Sequence, residues 1–216
     1  MAPPEVFEQP VLIPSDDGVE LEGALALPED VTGGVVFAHG SGSSRLSPRN
    51  TYVARVLNEA GIGTLLFDLL TRDEDRAYET RFDISLLTTR LVAASEWLAR
   101  EPECKRLQLG YFGASTGAAA ALQAAALRPA TAAVVSRGGR PDLAGAAALE
   151  QVRAPTLLIV GGYDDVVIGL NRQAYAHLAC AKDLVIVPGA THLFEEPGTL
   201  EQVASQAARW FKRWLA

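Results

Sequence analysis

Histidine, cysteine and long apolar runs are all scarce in this chain of 216 residues. There are three histidines, two cysteines and no stretch near the ~20 consecutive apolar residues that a membrane-spanning helix requires. Met1–Pro10 holds neither a basic segment nor an apolar core of signal-peptide type, so the sequence predicts a cytoplasmic protein with no membrane partner. Cys104 and Cys180 match no redox or metal spacing and read as free packing thiols. With the histidines also never at ligand spacing, no metal and no cofactor is expected. Positive charge is short too: 19 Lys and Arg stand against 26 Asp and Glu, a net charge of −7. That argues against a nucleic-acid partner, whose phosphates call for a basic surface, and mildly disfavours a strongly anionic substrate. Gly40-x-Gly42-x-x-Arg45 lacks the third glycine of a dinucleotide fingerprint, and no Walker lysine is present.

What is there suits one globular domain over 1–216: 49% of residues are hydrophobic and 21% charged. Continuous apolar runs at Val35–Phe37, Thr64–Phe67, Leu107–Leu109, Ala133–Val135, Leu157–Val160 and Leu184–Val187 suit strands buried on both faces of a parallel sheet. Leu21–Leu27 alternates and reads as an antiparallel edge strand with one wet face. Helices are predicted at Tyr52–Ala60, Ile84–Arg100, Ser115–Arg128, Leu170–Cys180 and Leu200–Leu215. The alternation implies an α/β fold, a mostly parallel sheet with helices on both faces joined by right-handed crossovers.

Gly113-Ala114-Ser115-Thr116-Gly117 is a G-x-S-x-G motif. As a bare pentapeptide it could equally be a glycine turn with Ser115 capping a helix. Lying between a predicted strand and an alanine-rich helix, it instead reads as a nucleophile elbow that exposes the Ser115 hydroxyl at a helix N-terminus. Serine is a poor nucleophile at neutral pH without a base, so a histidine is required. His39 precedes Gly40-Ser41-Gly42 and is placed to shape a loop, while His177 falls inside a helix. His192 follows the Leu184–Val187 strand through Pro188–Thr191, at the carboxyl end where α/β sheets assemble ligand sites. The order serine, acid, histidine then points to Asp164 or Asp165 after the Leu157–Val160 strand, with Asp142 after the preceding strand as a further candidate. The carboxylate would hold the imidazole tautomer and stabilise the imidazolium. Backbone N–H groups of Ser41 and Thr116 are the predicted oxyanion donors.

The chain resembles the dienelactone-hydrolase-like branch of the α/β-hydrolases in His39–Ser44, Ser47–Asn50, Phe67–Thr71, Gly113–Gly117, Gly161–Asp164 and Gly189–Phe194. Gly161-x-x-Asp164-x-x-Val167 resembles the acid loop of many such hydrolases, which favours Asp164 over Asp165. The resemblance implies an eight-stranded core, a Ser-His-Asp triad and esterase-type chemistry. Dienelactone hydrolase itself uses a cysteine nucleophile, so its namesake substrate does not carry over to Ser115. Only about 20 residues separate the Val134 and Leu157 strands, too few for a large cap. Leu46, Leu69, Leu70 and Phe194 are candidates to line an apolar acyl pocket, and Arg137 to hold a substrate carboxylate. The charged run Thr71–Arg76 reads as a solvated loop near the cleft. The expected function is hydrolysis of a small-molecule ester through an acyl-enzyme. The alternatives are thioester cleavage or acyl transfer through the same acyl-enzyme, or ligand binding without turnover.

Overall fold

The computed structural model describes residues 6–215, so the first five residues of the Met1–Pro10 stretch lie outside the described residues. Eight strands form one sheet: β1 (Val6–Pro14), β2 (Glu20–Pro28), β3 (Gly33–Ala38), β4 (Ile62–Phe67), β5 (Gln108–Ala114), β6 (Ala133–Arg137), β7 (Thr156–Gly161) and β8 (Lys182–Val187). They lie in the order β1-β2-β4-β3-β5-β6-β7-β8. β2 runs antiparallel to both its neighbours, and every pair from β4 to β8 is parallel. β3, β4 and β7 are buried along their whole length, which is why they appear as unbroken apolar runs.

The predicted edge strand was displaced by one place. Leu21–Leu27 lies in β2, and the edge is β1, an almost wholly exposed strand paired from Val6↔Pro28 to Pro14↔Glu20. β1 gave no signal because it has little buried face to alternate against, and because Pro10 and Pro14 lack the donor that only an edge can spare.

Among the described residues six helices cover the sheet: α1 (Pro48–Glu59), α2 (Ile84–Arg100), α3 (Thr116–Leu127), α4 (Ala146–Gln151), α5 (Asp165–His177) and α6 (Thr199–Trp214). Pro48 sits at the start of α1, where its missing N–H is no loss, and Ser47 Oγ accepts from Asn50 N at 3.4 Å. α5 starts five residues before the predicted Leu170 because the helix begins directly after Asp164. Alternate residues feed two cores. Val36, Leu65 and Tyr111 pack under Leu91 and Ala94 of α2 and the alanines of α3. Phe37, Phe112, Val135 and Ile159 pack against Val53 and Leu57 of α1 and Val203 and Phe211 of α6. Each such Leu or Phe contributes about 1.5–3 kcal/mol by leaving water. Between β6 and β7 there is only a short turn of 3₁₀ helix, Pro141–Ala144, followed by α4, so nothing caps the carboxyl end of the sheet there.

The Thr71–Arg76 run is anchored rather than simply solvated. It ends in a 3₁₀ turn, Glu74–Arg76, with a second, Glu79–Phe82, following it, and Glu74 bonds inward to Arg90, which is 1% exposed. Among the described residues no helix is long and apolar enough to cross a membrane, and no cluster of His, Cys, Asp and Glu could hold a metal ion.

Candidate active site

β5 runs without a break into Ser115, and α3 begins at the next residue. The reversal forces Ser115 to φ 50° and ψ −120°, a conformation that costs an ordinary side chain about 1–3 kcal/mol. Closeness of strand and helix fixes the residues on either side. A Cβ on Gly113 would stand 2.4 Å from Ala118 Cα, and one on Gly117 would stand 2.2 Å from Ala38 O. The strained backbone is held by Ser115 N–H donating to Arg137 O (3.2 Å), and by Ser115 O accepting from Ala118 N (3.1 Å) and Arg140 N (3.0 Å).

The loops after β7 and β8 are joined: Gly162 N–H donates to Val187 O at 2.8 Å and Tyr163 N–H to Ala190 O at 2.9 Å. They bring His192 Nδ1 within 2.6 Å of Asp164 Oδ2. The carboxylate is 16% exposed and the imidazole 38%, so the acid is sheltered while the ring opens to the surface. Asp165 is an exposed first residue of α5, and Asp142 is held by Arg140 at 2.7 and 2.9 Å. Of the three candidate acids only Asp164 meets His192. Among the described residues no hydrogen bond joins Ser115 Oγ to His192, a contact that often tightens only when substrate binds.

The two predicted oxyanion donors meet each other. Ser41 N–H donates to Thr116 Oγ1 at 2.9 Å, so it is committed, whereas Thr116 N–H, at the first position of α3, has no acceptor within its helix. Sequence reading gave Thr116 a backbone role only. Its hydroxyl tie to the Gly40–Ser43 loop left no trace in motif spacing.

His39 is buried, with Nε2 accepting from Leu69 N–H (3.0 Å) and Nδ1 3.0 Å from Gly40 O. Both ring nitrogens are satisfied in the neutral form, and burial holds its pKa below the ordinary 6.5 despite Asp68 and Asp75 nearby. The unfolded chain therefore takes up this proton at a higher pH than the fold does, so stability falls as pH drops below about 6.5. Guanidinium denaturation at about pH 7.5 and 5.5 should show a steeper loss in the wild type than in His39→Gln. Equal losses would mean that His39 protonates without disturbing the loop. His177 lies exposed at the end of α5, 3.3 Å from Glu150.

The predicted pocket residues are dispersed. Leu69 and Phe194 are 0% and 2% exposed and pack in the two cores, and Leu69 also borders a narrow crevice beside His39, Ser41 and Leu70. Leu70, 6% exposed, borders a crevice of about 100 Å³ with His39, Ser44 and Asp75. Leu46 is 70% exposed and turns instead to an apolar groove of about 420 Å³ lined by Ala24, Ala54 and Leu66, which includes none of Ser115, Asp164 or His192. Arg137, the last residue of β6, is buried, and its Nη1 has no partner. Burial, and then the like charge of Arg49, lower its pKa to about 10.

A sheet in this strand order, antiparallel only at its start, with a strained serine between β5 and α3 and the Asp164–His192 pair on the loops after β7 and β8, defines an α/β-hydrolase fold. The chain belongs to the dienelactone hydrolase family, which it matches over residues 21–216. It is 56% identical to the dienelactone hydrolase of Anabaena variabilis, whose crystal structure superposes with a TM-score of 0.95 over 98% of this chain and 99% of that one. A Pyrococcus furiosus esterase shares the fold at 20% identity, with a TM-score of 0.80 over 97% of this chain and 92% of that one. A Mycobacterium tuberculosis protein provisionally named a phosphoribosyl transferase is 61% identical over 194 residues, 89% of this chain. This chain spans only 44% of that relative's length.

Proposed function

We propose that the chain is a serine esterase acting on small carboxylic esters. Ser115 is the nucleophile, His192 the general base, and Asp164 the carboxylate that orients the imidazole. The 2.6 Å bond from His192 Nδ1 to Asp164 Oδ2 carries this reading. With Nδ1 bonded to the acid, Nε2 is left as the basic nitrogen, and it has no partner among the described residues. Ser115 Oγ attacks the ester carbonyl as its proton passes to His192. The imidazolium then protonates the leaving alcohol, and water on the same base releases the acid. Thr116 N–H faces the developing oxyanion at the positive end of α3, and Ser41 N–H, donated to Thr116 Oγ1, holds the Gly40–Ser43 loop beside it. The transferase name of the longer mycobacterial relative is assigned, in this reading, to the larger share of that protein that this chain does not match.

Asp164→Asn tests the proposal. The amide preserves shape but favours the wrong imidazole tautomer, so kcat on p-nitrophenyl acetate should fall about 10⁴-fold with the fold intact. Fluorophosphonate labelling of Ser115 should slow in parallel. Wild-type turnover in Asp164→Asn, or an unlabelled Ser115 in the native protein, would overturn the mechanism.

A further inference from the structure

Among the described residues three that are not glycine hold a positive φ: Asp30, Ser115 and Phe194. Asp30 lies in a turn, where a short polar side chain tolerates this conformation. Ser115 is the strained serine between β5 and α3. Phe194, at φ 56°, follows His192 by two residues, and for a bulky side chain such a backbone is an outlier that persists only where its surroundings over-determine it. The loop between β8 and α6 shows what does so. Thr191 is its fixed post: a Cβ on Gly161, the last residue of β7, would stand 2.5 Å from both Ala190 O and Thr191 O, so the chain before His192 lies main chain against main chain.

The chain after His192 is led back to the same post. The Phe194 ring sinks into the core under α1 and α6, and Phe194 N–H donates to Thr191 O at 3.2 Å. Glu196 closes the circuit with both carboxylate oxygens: Oε1 accepts from Thr191 Oγ1 at 2.7 Å and Oε2 from Thr191 N–H at 3.1 Å. The Thr191 hydroxyl, and then its N–H, hold the Glu196 carboxyl below its ordinary pKa of 4.5. Glu196 O in turn accepts from Thr199 N–H at 3.1 Å and Thr199 Oγ1 at 2.7 Å, which ties the clasp to the first residue of α6. The neighbouring Glu195 turns elsewhere, to Arg49 at 3.3 Å. Bonds at an exposed position add little to global stability, whereas a reacting group displaced by about 1 Å can lose 10²-fold in rate, so the effect of this clasp is on geometry. We propose that Glu196 is a positioning residue for the general base: by clasping Thr191 it closes the segment that carries His192 and keeps the imidazole on Asp164, in the tautomer that leaves Nε2 basic. The proposal rests on the esterase reading and adds to it a residue outside the set of Ser115, His192 and Asp164.

The test measures kcat and KM on p-nitrophenyl acetate, melting temperature, and the ring nitrogen shifts of His192 by NMR in Glu196→Ala, Thr191→Val, Thr191→Ser and Glu195→Ala. Glu196→Ala should lower kcat roughly 10- to 100-fold with KM unchanged and the melting temperature within about 4 °C of the wild type. Its His192 ring should drift from the form protonated on Nδ1 to the mixed tautomers of a free imidazole. Thr191→Val, which keeps the N–H, should lose less, and Thr191→Ser, which keeps the hydroxyl, should match the wild type. Glu195→Ala should retain wild-type kcat and ring shifts. Unchanged kcat and ring shifts in Glu196→Ala would overturn the proposal, as would an equal loss in Glu195→Ala or a wild-type ring already in mixed tautomers. A fall in kcat that comes with a lower melting temperature and wild-type ring shifts would make Glu196 structural only. If the wild type turns over no ester while Glu196→Ala still loses the Nδ1-protonated ring, the esterase reading fails and the positioning role stands.

Discussion

Ser115→Ala lowers kcat on p-nitrophenyl acetate and butyrate by about 10⁴-fold or more, His192→Ala does the same, and the double variant loses little beyond either alone. The expectation follows from the geometry. In the proposed mechanism the serine supplies the attacking oxygen from a backbone strained to φ 50°, and His192, bonded to Asp164 at 2.6 Å, takes its proton, so each would be idle without the other. Groups that act as one unit are not additive, which separates this mechanism from one in which the two residues merely bind substrate. Residual activity would come from the Thr116 N–H and binding alone. The variants must be compared at matched folding, and alanine at position 115 keeps the Cβ and with it the backbone strain. Wild-type turnover in Ser115→Ala, or fully additive losses, would sink the acyl-enzyme mechanism.

Gly117→Ala should be the most damaging single methyl in the protein. Its Cβ would stand 2.2 Å from Ala38 O and 2.5 Å from His39 O, both main-chain atoms that cannot turn aside, so α3 would have to lift from β3. Gly113→Ala meets Ala118 Cα at 2.4 Å and does the same from the strand side. Each should cost about 3 kcal/mol or more, against a total stability of about 5–15 kcal/mol for a typical domain. Gly169→Ala is the counterpart: it lies inside α5 with nothing within 4 Å of the new Cβ, and should gain about 0.5–1 kcal/mol. Urea denaturation midpoints of the three variants should therefore move in opposite directions. A Gly117→Ala protein that melts with the wild type would contradict the close packing of α3 on β3.

The buried strands could be read from the sequence because a strand covered on both faces must be apolar throughout, as Thr64–Phe67 and Leu157–Val160 are. Ile84–Arg100 was legible to the residue, since one side of α2 is buried and its N-cap Asp83 and C-cap Glu101 bracket it. β1 was illegible for the opposite reason: Phe7 and Leu12 are 65% and 58% exposed, so hydrophobicity there does not report burial. At the candidate site, Ser115 and His192 stood out by their places after strands. Spacing could not separate Asp164 from Asp165, which differ only in that one precedes α5 and faces His192 while the other opens the helix to solvent. The tie from Ser41 to Thr116 and the bare guanidinium of Arg137 arise from contacts between segments far apart in the chain, such as 41 with 116, and no local pattern encodes them.

The nine-residue β1 leaves the sheet with an open flank, and its two prolines determine what that flank can do. Each proline withholds a hydrogen-bond donor, so a foreign strand laid along this margin would find an interrupted ladder. Accretion of further strands is thereby disfavoured along this one margin, while β8 bounds the sheet on the other side. Because β2, β4 and β3 stand between this margin and β5, whatever this flank meets is three strands removed from the strand that carries Ser115.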